Sequence, residues 1–140
     1  MTVPGDSTEV VDLILPATPL APGEARRALG ELADHVSAVV LEDARLLASE
    51  LVTNSVRHGA AGPASRVRFR AITVAGRIVI EVTDWGPGFE ARRAQRPAPD
   101  GRSGYGLFLV DRLARRWGID RDGAMRVWCE LAPAPRTVAN

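Results

Sequence analysis

A two-layer α/β sandwich, with a mostly antiparallel sheet carrying its helices on one face, is the fold this sequence predicts. Three observations lead there. Two alternating apolar runs, Arg66 to Thr73 and Ile78 to Asp84, register as a hairpin with one apolar and one charged face. A Pro- and Gly-free run beginning near Leu41 carries a narrow face of small residues suited to lying on a sheet. Met125 to Leu131 alternates in the same one-sided way and supplies a further strand.

Composition narrows the class. The chain of 140 residues fits one domain, large enough to bury a real core. A net charge of +1 gives no support for direct nucleic-acid binding. No apolar run approaches the length of a membrane span, and the first residues lack a basic-then-apolar signal pattern. The expected setting is therefore the cytoplasm, with no membrane partner. Cys129 stands alone, which excludes an internal disulfide and fits a reducing compartment. Its place in an alternating run marks a buried thiol rather than a nucleophile. Every basic residue is Arg, which reflects a GC-rich coding composition more than any chemistry.

In chain order, residues 1–8 are polar and expected to be flexible, residues 9–132 form the domain, and residues 133–140 form a flexible tail. Glu9 to Leu15 reads as a strand ended by Pro16. A helix is expected from near Gly23 to His35, burying Ala25, Ala28, Leu29 and Leu32, with Arg26 and Arg27 outside that stripe. Those arginines are ordinary surface charges or a partner contact. The next helix runs from about Leu41 to Gly59, where Gly stops it, and buries Ala44, Ala48, Leu51, Val52 and Ser55. On an adjoining stripe Glu50, Asn54 and His58 recur every four residues, so a carboxylate and a carboxamide point the same way. Taken alone, that stripe reads as a solvated face.

The hairpin turns at Ala75-Gly76, which sets Phe69 opposite Val82, Ala71 opposite Ile80 and Arg70 opposite Glu81. Asp84 continues the apolar series Ile78, Ile80, Val82 and so points to the helix-covered side, where a carboxylate needs a donor. The alternative is a turn-initiating Asp before Gly. Asp84-Trp85-Gly86-Pro87-Gly88 is a D-x-G-x-G pattern whose glycines let backbone approach a ligand closely. Residues 90–103 read as an Arg-rich loop, either a lid over phosphates or a solvated segment. Gly104-Tyr105-Gly106 then opens a helix carrying Leu107, Val110, Leu113, Ala114 and Trp117, and free N–H groups at such a start suit phosphate. A lone G-x-G also marks simple tight turns. Trp117 to Asp120 and Met125 to Leu131 are strands joined at Arg121-Asp122-Gly123.

The ordered set is more specific than any member. Glu50-x-x-x-Asn54 on a helix, Asp84-x-Gly86-x-Gly88 after a strand and Gly104-Tyr105-Gly106-Leu107 opening a helix resemble the Bergerat (histidine-kinase-like, GHKL) ATP-binding fold. The short length and the wording Glu50-Leu-Val-Thr-Asn54 and Gly104-Tyr-Gly106-Leu-Phe-Leu-Val look like its anti-sigma-factor branch of serine/threonine kinases. That resemblance implies ATP and Mg²⁺ as cofactors, with Asn54 ligating the metal beside the phosphates. It implies that Asp84 accepts from the adenine amino group and that Gly86 and Gly88 pass beside base and sugar. It further implies that Gly104, Tyr105, Gly106 and Leu107 cradle phosphate and that Glu50 acts as the catalytic general base. The implied partners are a sigma factor and an anti-anti-sigma protein, and a homodimer also fits. One position departs from the family: Met125 stands where many members have a Thr that supports the adenine-binding Asp. The alternative function is an ATP-binding regulator that sequesters a partner without phosphoryl transfer.

Overall fold

The computed structural model describes residues 8–59, 65–85 and 107–133. Its strands are β1 (Glu9–Pro16), β2 (Arg66–Val74), β3 (Arg77–Asp84), β4 (Arg116–Asp120) and β5 (Met125–Leu131). They form a five-stranded sheet in the order β1-β2-β3-β5-β4, with every pair antiparallel. The hairpin has the register read from the alternation: Phe69 faces Val82, Ala71 faces Ile80 and Arg70 faces Glu81. Its turn residues Ala75 and Gly76 have φ of 51° and 78°, the left-handed pair that a two-residue hairpin turn requires.

Three helices complete the described chain: α1 (Ala21–Leu29), α2 (Ala38–Asn54) and α3 (Leu107–Leu113). Helix α1 starts two residues earlier than expected, because Pro22 sits in its first turn, where its fixed φ suits a helix and its missing N–H costs nothing. It also stops at Leu29 and tightens into the 3₁₀ turn Gly30–Leu32 instead of running to His35. Helix α2 starts at Ala38 rather than Leu41, since the Ser37 hydroxyl caps it by accepting from the Val40 N–H at 3.2 Å. Beyond Asn54 it widens into the π turn Ser55–Gly59. Trp117 belongs to β4, not to α3, which ends at Leu113.

All helices lie on one side of the sheet, as the one-sided strand pattern requires. Val67, Phe69, Ala71, Ile78, Ile80, Val82, Cys129 and Leu131 from the sheet meet Ala25, Leu29, Ala44, Leu47, Ala48, Leu51 and Val52 from α1 and α2 in one continuous core. The small side chains of α2 let it approach the sheet closely, and truncating a large buried member such as Ile80 to Ala would cost about 2–5 kcal/mol. Burial also pushes the Cys129 thiol up to about 12, against a small opposing effect of a hydrogen bond from the Ile80 backbone.

The other face of the sheet is charged. Arg68 donates to both Asp12 oxygens at 2.9 and 2.6 Å, which holds that carboxyl below its ordinary value. Arg126 donates to Asp120 at 2.7 Å and lies 3.4 Å from Glu81. Arg116 donates to Glu130 at 3.1 Å. Glu130 is buried, whereas the pairs of Asp12 and Asp120 are exposed and contribute little each, so the core supplies most of the stability. Among the described residues no helix is long and apolar enough to cross a membrane.

Candidate functional site

The site is built from the C-terminal half of α2 upward. Its apolar stripe faces the sheet, which turns the stripe bearing Glu50 and Asn54 to one flank. Glu50 is partly exposed, whereas Asn54 is 9% exposed and its Nδ2 is buried with no hydrogen-bond partner among the described residues. A buried amide nitrogen without an acceptor is costly, and such a group in a folded domain calls for a ligand or another functional reason. The π turn begins at the next residue, Ser55, and packs against β3. Local widening of this kind recurs at functional sites, where it re-aims a helix end.

Asp84 is the last residue of β3 and is 1% exposed, on the helix-covered side as the strand alternation predicts. It pairs with Val67 on one flank and with Met125 on the other. Met125 is 8% exposed, so the departure read from the sequence sits directly beside the carboxylate. Leu107 opens α3, is partly buried against the core, and belongs to a helix that touches α2. The structure thus sets Glu50 and Asn54 on one helix flank, with Asp84 and Leu107 on two elements that pack against that helix. Gly86, Gly88, Gly104, Tyr105, Gly106 and the expected lid over residues 90–103 lie outside the described residues.

The donor set bears on Mg²⁺ and ATP as follows from its chemistry. No group of three or more His, Cys, Asp or Glu among the described residues could hold a metal by itself. That is compatible with Mg²⁺, which is commonly held by one or two protein oxygens together with substrate phosphates. The unpartnered Nδ2 donor of Asn54 and the buried carboxylate acceptor of Asp84 fit the polar ends of a nucleotide.

Sequence reasoning misses one feature beside these residues. The Arg26 guanidinium, a surface charge by its helical position, donates to the Ser49 hydroxyl and ties α1 to α2 one residue before Glu50. Pro19, Leu20, Arg26, Ser49 and Thr53 line a groove of about 470 Å³ there. The spacing of Arg26 on its own helix gives no sign of this link, because the partner lies 23 residues away.

Residues 15–129 match the family model described as the histidine kinase-like ATPase domain. No curated protein matches the chain. Among solved structures, the chain is similar to the crystal structure of the RsbU and RsbW domains of Rv1364c from Mycobacterium tuberculosis, with a TM-score of 0.63. Identity there is 21%, over 94% of this chain and 35% of that one. The likeness is one of fold, and this chain spans about a third of that protein.

Proposed function

The chain belongs to the histidine kinase-like ATPase domain family, and from that premise we propose that it is an anti-sigma factor and serine/threonine kinase that phosphorylates an anti-anti-sigma protein. The observation that carries the reading is the pair on α2: a buried Asn54 with an unpartnered amide, one turn after a partly exposed Glu50. Family membership supports ATP as the nucleotide, and the three ordered motifs support the anti-sigma branch. Bound Mg-ATP would supply the transferable phosphoryl group and the cation that offsets its charge.

The chain's own residues then have distinct tasks. The Asp84 carboxylate accepts from the adenine amino group, which fixes the base at the buried edge of the sheet. The Asn54 side-chain oxygen ligates Mg²⁺ while its Nδ2 gains the acceptor it lacks. Glu50, which is partly exposed, accepts the proton of an incoming Ser or Thr hydroxyl at its carboxylate. Gly104, Tyr105, Gly106 and Leu107 hold the phosphates through backbone N–H groups, with Gly86 and Gly88 beside base and sugar. Silencing of a sigma factor by direct binding completes the role.

Titration calorimetry with Mg-ATP tests the nucleotide half of the reading. Asp84→Asn removes the charge and replaces one of the two acceptor oxygens by an N–H donor, and is expected to weaken binding about ten- to a hundredfold. Equal affinity in Asp84→Asn and the native chain would reject the role given to Asp84.

A further inference from the structure

Exposed apolar side chains scattered singly over a surface carry no message, but three of them here gather around Glu50. Val39 and Leu46 on α2 are 71% and 43% exposed, and Leu20, the residue before α1, is 73% exposed. Helical geometry puts Val39, Leu46, Glu50 and Thr53 within roughly 60° of one another, on the face of α2 turned away from buried Ala44, Ala48 and Leu51. Leu46 precedes Glu50 by one turn, about 6 Å along the axis. Leu20 approaches the same turn from the other side, since it lines the groove with Ser49 and Thr53. The hydrogen bond from Arg26 to Ser49 joins α1 to α2 at that groove, so Leu20 and Leu46 belong to one continuous surface.

A general base for a protein hydroxyl works only when that protein lies over it. A partner seated on Glu50 therefore meets the side chains within a turn of it on the same face, and two of the large ones are leucines that water covers in the free chain. Resting on the proposed role of Glu50 as base, we infer that Leu20, Val39 and Leu46 form the docking surface for the phosphoacceptor protein. The partner that fits is one carrying apolar side chains on both sides of its acceptor Ser or Thr, so that their burial against the leucines brings the hydroxyl to the carboxylate.

Steady-state transfer from labelled Mg-ATP to an anti-anti-sigma protein tests this in Leu20→Gln, Leu46→Gln and the double variant, with ATP affinity measured by calorimetry in parallel. Both leucines are exposed, so the polar substitutions leave the core untouched. Each single substitution is expected to raise KM for the protein about fivefold, and the double variant about tenfold or more, from the lost apolar burial. The kcat and the ATP affinity should stay as in the native chain. Ile14→Gln, at an exposed apolar position on the charged face of the sheet, should leave KM unchanged. A native KM in the double variant, with transfer proceeding, would overturn the inference and leave the kinase reading intact. So would an equal rise in KM for Ile14→Gln. Self-association of the native chain that Leu46→Gln abolishes, with KM unchanged, would give the surface to a second copy and overturn it as well. Absence of transfer by the native chain would instead defeat the Glu50 reading, and this inference with it.

Discussion

Gly118 faces Trp128 across the β4–β5 pair, and the indole fills the space that a side chain at position 118 would need. A Cβ built there would lie 2.8 Å from Nε1 and 2.9 Å from Cζ2 of the ring. Gly118→Ala must then move either the indole or the outermost strand, and overpacking of this kind costs about 1–3 kcal/mol. Urea unfolding should show a lower midpoint at unchanged slope. Combined with Trp128→Leu, the same substitution should be nearly neutral. Additive losses in the double variant would show that the ring is not the obstacle.

Ala75 holds a left-handed φ of 51° at the hairpin turn, a conformation costly for an L side chain other than Asn or Asp. Ala75→Asn gives the Asn-Gly pair that such turns favour and should stabilise the fold by on the order of 1 kcal/mol. A thermal melt reads this as a higher Tm. A melt unchanged or lowered would mean that the turn relaxes at no cost.

That hairpin also shows what the sequence makes legible and why. Alternation has a period of two, so one correct turn fixes all of Phe69–Val82, Ala71–Ile80 and Arg70–Glu81 and sends Asp84 to the buried side. The stripe of Glu50 and Asn54 is legible for the same reason, from a helical spacing of four. Boundaries decided by single contacts are less so. Ser37 capping Val40, Pro22 inside the first turn of α1 and the π widening at Ser55 each depend on local geometry that periodicity does not carry. Long-range pairings such as Arg26 with Ser49, and β5 lying between β3 and β4, depend on the assembled fold and leave no local pattern.

Cys129 ties stability to alkaline pH. Its thiol is raised from 9.0 to about 12 in the folded chain, so the unfolded chain loses that proton first. The stabilising contribution is complete below pH 9 and is lost as pH climbs from there toward 12. Cys129→Ala should flatten that part of the pH–stability curve, and the native thiol should resist alkylation at neutral pH until the chain unfolds. Fast native-state labelling at neutral pH would contradict the burial.

Phosphoryl transfer to a protein hydroxyl decides between a kinase and a passive regulator. Labelled Mg-ATP is incubated with an anti-anti-sigma protein and either the native chain or Glu50→Ala, with nucleotide affinity measured in parallel. Glu50 lies one turn before the buried Asn54 and is the group proposed to take the hydroxyl proton. The native chain should label the partner on Ser or Thr. Glu50→Ala should keep its ATP affinity and transfer on the order of 10²–10⁴-fold more slowly. Tight Mg-ATP binding by a native chain that labels no partner would contradict the kinase and leave a regulator that works by sequestration alone.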